Sequence, residues 1–276
     1  MLDPAVGLKF HETLAGGFAL GTTDPNAGAR LGNYQGWGGR YVKGDLDEVC
    51  VYNRSLTQAE IREKMHLRKI PADETDMLAY YQFNETGGST SFDRSGTRHG
   101  SLVGSAARIK STVAVGPGAS ARNFASSPGS TLFPGTGVTM KYADFTPIPS
   151  DEICVTRINL LPDMVPPAGD TVSRSYWVAR HFGPELLMDG LIEIDFDNIG
   201  RVPAGQPADA WKLWQRFANG EGPVWAETDV ADAVTPGADG SVKIFNPAEL
   251  LFGQMIFTMP KDSLLSGVEN PGAAAE

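Results

Sequence analysis

The run Leu191-Ile-Glu-Ile-Asp-Phe-Asp197 alternates strictly between apolar and acidic residues. That period of two belongs to a strand with one face on a core and one toward water. It does not stand alone. Short runs of strand texture recur at 137–145, 152–159, 172–181, 210–218, 222–227, 241–246 and 252–258. No long segment of helical period interrupts them. Many short strands separated by turn residues predict a β-sandwich over 136–265. The fold class expected for the chain is therefore all-β.

The second informative stretch is Gly44–Ile61. Val49 and Val51 alternate with Cys50 and Tyr52, which again reads as a strand. Asn53-Arg54-Ser55 supplies turn formers. Thr57 with Glu60 three residues on matches a capping box, and Leu56 with Ile61 fits a hydrophobic staple. The helix expected from Thr57 runs to about Arg68, and Pro71 stops it. Residues 77–83 read as a buried strand and 100–104 as a short one. Val115-Gly-Pro-Gly-Ala-Ser-Ala and Ser126-Ser-Pro-Gly-Ser-Thr have linker composition, so 109–135 reads as a linker between domains. The tail, 266–276, reads as flexible.

The segment KGDLDEVCVYNRSLTQAEI resembles the closing segment of laminin-G-like, concanavalin-A-like jelly rolls. Gly44, Asp47, Glu48, Val49, Tyr52, Asn53, Arg54, Leu56, Glu60 and Ile61 match that pattern, while Cys50 stands where the family has Arg. LAYYQFNETGGSTSFDRSGTRHGSLVG is also similar to this family. The run from VSRSYWVARHFG to VWAE resembles Ig-like sandwich modules of secreted Bacteroidota surface proteins. These resemblances imply a partial laminin-G-like jelly roll with one short helix over 1–108, followed by an Ig-like sandwich. They imply a secreted or cell-surface setting and non-catalytic adhesion or carbohydrate binding, with a glycan or surface protein as partner. An accessory region of a glycoside hydrolase or protease, or a self-assembling fibre subunit, are the alternatives. Only 43 residues precede Gly44. The N-terminal part of the first sandwich is thus expected to be missing, much reduced, or supplied by another chain. Met1-Leu-Asp-Pro lacks the basic start and apolar run of a signal peptide, as in a cytosolic protein or a mature fragment, and the resemblance implies the second.

Composition narrows the partners. A net charge of −10 gives no basic footprint for nucleic acid or an anionic membrane surface. No apolar run reaches the length of a membrane span. Cys50 and Cys154 fall in different expected domains, so no disulfide is expected. The four histidines show no metal or catalytic spacing, and no Gly-x-Ser-x-Gly elbow occurs.

Three candidate sites remain. The laminin-G resemblance implies a structural Ca²⁺, with Asp47 and Asp93 as ligands; the alternative is a strand-end role for Asp47 and an Asx turn at Asp93. Glu193, Asp195 and Asp197 stand about 7 Å apart in steps along one strand face, a spacing a glycosidase pair could use, though an exposed acidic face explains them as well. Tyr34 and Trp37, in a Gly-rich loop, and Trp214, on the Lys212 face of its strand, are the candidate ligand-binding aromatics.

Overall fold

The computed structural model describes residues 31–32, 42–144, 147–167, 171–184, 188–217, 224–247, 250 and 252–259. The chain separates into two compact units, Met1–Asp47 and Glu48–Glu276. Within the first, the Val42 amide donates to the Gly32 carbonyl at 2.9 Å. Tyr34 and Trp37 lie outside the described residues.

The second unit begins with β1 (Val49–Tyr52), which pairs antiparallel with β2 (Met77–Tyr81). Between them runs α1 (Gln58–Lys64), the one α-helix among the described residues. Its start is the expected capping box: Thr57 Oγ1 accepts from the Glu60 amide, and Glu60 reaches back to the Thr57 amide at 2.8 Å. Such a cap contributes about 1 kcal/mol. The helix ends well before Arg68. Met65 is its C-cap, and Leu67 then forms a parallel bridge to Gly116. Ile61 is half exposed rather than tucked under a staple. The 77–83 segment is less buried than its apolar content suggests: Ala79 and Tyr80 are buried, and Leu78 is exposed. The short pair β3 (Thr90–Ser91) and β4 (Gly100–Ser101) follows.

The sandwich comprises β5 (Gly118–Phe124), β6 (Gly129–Phe133), β7 (Val138–Tyr142), β8 (Glu152–Ile158), β9 (Thr171–Val172), β10 (Tyr176–His181), β11 (Leu191–Phe196), β12 (Lys212–Phe217), β13 (Ala226–Val230), β14 (Ala233–Thr235), β15 (Ser241–Phe245) and β16 (Gly253–Met259). One sheet has the order β13-β12-β16-β10-β8-β5, with β9 also on β16. The other is β14-β15-β11-β7-β6. All these pairs are antiparallel. The expected strand at 172–181 is broken: Ser173 Oγ donates to the Ser175 carbonyl at 2.7 Å, a bulge that splits β9 from β10.

The expected linker is corrected here. Residues 109–135 contain β5 and β6, each an edge strand of one sheet. Their small residues serve packing. A Cβ at Gly118 would stand 1.8 Å from the Arg157 carbonyl oxygen, so glycine is what lets β5 close on β8. With that, the boundary expected within 109–135 is absent; Glu48 onward forms one unit.

Inward residues of both sheets make one core. Trp177 and Phe257 from one sheet meet Phe196 from the other edge to face, with centroids 5.0–6.2 Å apart. Pairs of this kind contribute about 0.5–1.5 kcal/mol beyond their burial. The Trp177 indole N–H is satisfied by the Thr136 carbonyl at 2.9 Å.

Candidate functional site

Strand alternation gives the seven-stranded sheet a second face. Ile153, Val155, Trp177, Ala179, Trp211, Leu213, Met255 and Phe257 point into the sandwich core. Their neighbours, Ile158, Tyr176, Val178 and Ile256, point away from it, yet are buried. Two structures cover them. At the β5–β8 side lies α1. The Cys154 thiol donates to the Arg62 carbonyl at 3.2 Å, and Glu152 receives both Arg62, at 3.0 Å, and Arg122. His66 follows, its Nδ1 2.8 Å from the Ala114 carbonyl. A carbonyl only accepts, so Nδ1 carries the proton. Nε2 is then a buried acceptor without a partner among the described residues. Burial drives the His66 pKa down to about 4, with Arg180 and Lys69 nearby adding to the effect against the Ala114 bond.

At the β12–β16 side lies the segment after β8. Asp163 meets Arg216 at 2.5 Å, and Gln254 Oε1 accepts from the same guanidinium at 2.8 and 3.0 Å. The guanidinium sits 4.4 Å from the Trp225 ring centroid. Trp225 in turn donates to the Met164 carbonyl at 2.7 Å. Both charges are almost fully buried. Sequence reasoning gave no signal for this pair, because its members are 53 residues apart.

Trp214 lies on the same outer face. Trp211 and Leu213 fill the core, and Trp214 takes the opposite face, half buried. It packs against the Ile256 cluster, and its indole N–H is held by Thr258 Oγ1 at 3.0 Å. Lys212, on the same strand, and Glu227, opposite Trp214 on β13, form an ion pair at 3.0 Å.

Asp93 is buried and serves its own turn. Oδ1 accepts from the Tyr80 amide and from the amide and hydroxyl of Ser95, while Oδ2 accepts from the Arg98 amide. Burial works to raise its pKa, but these four bonds outweigh it and hold it at about 2. Oδ1 is thus fully used by the turn, whereas Oδ2 takes a single bond at 3.2 Å. Asp47 belongs to the other unit and is half buried. Among the described residues no group of three or more His, Cys, Asp or Glu is placed to hold a metal.

The acidic face of β11 is a cross-strand ion network. Lys243 meets Asp195 at 2.6 Å and Glu193 at 3.3 Å, and Lys141 meets Glu193 at 3.7 Å. Asp197 has its pKa raised by burial and by Asp195. The remaining described histidines also serve the backbone: His99 Nδ1 accepts from the Asp93 amide and His181 Nε2 from the Asp151 amide, each at 3.2 Å. Both cysteines are free thiols with pKa raised by burial, Cys50 to about 11.

No family model matches the chain, and no curated protein or solved structure is similar to it.

Proposed function

We propose that this chain is a non-catalytic recognition region of a secreted or cell-surface protein, and that it binds carbohydrate. The observation that carries the reading is Trp214. Its ring is fixed by Thr258, backed by apolar side chains and left partly open beside Lys212 and Glu227. A rigid aromatic face with polar neighbours is the chemistry on which a sugar ring stacks. Two further points support it. Burial raises the pKa of both cysteines, so neither is a ready thiolate nucleophile. The resemblance of Gly44–Ile61 to laminin-G-like jelly rolls implies binding rather than chemistry. The same reading covers an accessory region attached to a glycoside hydrolase or protease.

A glycan array probed with the full chain tests it. Binding is expected to survive EDTA, because no group of three or more His, Cys, Asp or Glu among the described residues is placed to hold a metal, and to fall at least about fivefold in Trp214→Ala, given ~1–3 kcal/mol for truncating a stacking aromatic. Urea unfolding of the variant checks that it is folded. An array with no signal, or a folded Trp214→Ala that binds as wild type does, refutes the reading.

A further inference from the structure

At one end of the sandwich is a shallow depression whose floor is Val172, Ile199 and Met259, with Arg174 and Arg201 on its rim. Ile199 and Met259 are buried, so the floor is fixed by the core beneath. Arg174 is thrown outward by the bulge between β9 and β10. That bulge is anchored on both sides of it: the Ser173 amide donates to the Phe257 carbonyl at 2.8 Å, and Ser173 Oγ to the Ser175 carbonyl. Arg201 stands on the turn after β11. There Ile199 donates to the Gly240 carbonyl at 3.1 Å, and Val202 and Gly237 exchange two hydrogen bonds at 2.8 and 2.9 Å. Gly200, between them, has φ +114 and open space where a Cβ would be, which leaves the backbone bare at the depression.

These two arginines, like Arg68, are exposed and carry no ion pair among the described residues. The chain carries a net charge of −10, and Arg54, Arg62, Arg94, Arg108, Arg122 and Arg216 each meet a carboxylate. Arg174 and Arg201 are exposed, and neither has an ion pair or side-chain hydrogen bond among the described residues. An arginine fork is shaped for the two oxygens of a carboxylate or the face of a sulfate.

We propose that this depression is a subsite for the anionic group of an acidic saccharide, a uronate or sulfated sugar, held by Arg174 and Arg201. It rests on the carbohydrate-binding reading above and adds the class of sugar. The site acts at short range against an overall acidic surface, so its affinity falls with ionic strength.

Affinity electrophoresis of the full chain in native gels tests this, with polygalacturonate, dextran sulfate, neutral dextran or poly-glutamate in the matrix. Retardation is expected with polygalacturonate or dextran sulfate. The Arg174→Gln/Arg201→Gln double variant should lose at least about tenfold in affinity, since charge-assisted hydrogen bonds are lost. Its melting temperature should not change, as both side chains are exposed and unpaired. Lys110→Gln, an exposed charge away from the depression, should behave as wild type. Three results overturn the subsite: no retardation by either acidic polysaccharide, equal retardation by poly-glutamate, or equal loss in Lys110→Gln. Retardation by neutral dextran alone, abolished by Trp214→Ala, overturns the subsite but keeps the broader carbohydrate reading. Retardation by no polymer overturns both.

Discussion

His66 ties the end of α1 to the sandwich, and its protonation should loosen that tie. In the folded protein its pKa is about 4, against about 6.5 when solvated. The sign follows from which state takes the proton first. Above pH 6.5 neither state is protonated and the full stability is present. As pH falls below 6.5 the unfolded chain binds a proton that the folded chain refuses, so stability is lost until the folded group titrates near pH 4. At about 1.4 kcal/mol per pH unit, that interval amounts to roughly 3 kcal/mol. His66→Asn keeps a donor near Nδ1 for the Ala114 carbonyl and removes the titration. Urea unfolding followed by tryptophan fluorescence, at steps from pH 7.5 to 4, gives the stability of each protein. The variant should be less stable at pH 7.5, because packing is lost. The gap should then shrink by roughly 3 kcal/mol as pH falls to 4. A gap that stays constant across that range refutes the account of a neutral, desolvated imidazole.

The Arg216–Asp163 pair is buried on both sides, so Arg216→Ala should cost about 3–5 kcal/mol by stranding the Asp163 charge, and Arg216→Ala/Asp163→Ala should cost less than the sum of the single changes in a double-mutant cycle. Asp93 has a depressed pKa, so the stability its ionised form contributes is full above about pH 4 and lost as pH falls toward 2; Asp93→Asn should flatten that part of the acid unfolding curve. Gly118→Ala should cost more than about 3 kcal/mol, because its Cβ overlaps the Arg157 carbonyl, whereas Gly87→Ala, with open space around it, should stay within about 0.5 kcal/mol by chemical denaturation. Scanning calorimetry should show one transition for Glu48–Glu276, since α1 and His66 cover the sandwich's outer face; separate transitions for a first domain and a sandwich would refute the single unit.

What could be read in advance followed the range of the forces involved. The capping box of Thr57 and Glu60 is complete within four residues, and it forms as the pattern predicts. The alternation of Leu191–Phe196 is likewise local, and the strand is there. The helix end failed, because Leu67 leaves the helical path to bridge Gly116, a residue far along the chain. β5 and β6 failed for a related reason. Gly, Ala and Ser are the composition of a linker, but here they are small because backbone or core stands against them. Gly118 faces the Arg157 carbonyl, and Ala121 lies in the core. A sequence shows that a residue is small and not what makes it so.

The same argument separates the candidate sites. Asp93 could be seen as an Asx turn, since its Ser95 partner is two residues away. Trp214 could be set on the outer face by counting from Trp211. Arg174 and Arg201 could not be found, because nothing in their neighbourhoods marks them. Arg174 reaches the rim through a bulge that splits an apparently continuous strand, and Arg201 through a turn fastened to Gly237 and Gly240. Local patterns thus identify the residues that build the sandwich. The proposed saccharide recognition depends instead on residues that its irregularities turn outward: a bulge and a turn bring two unpaired arginines to one rim.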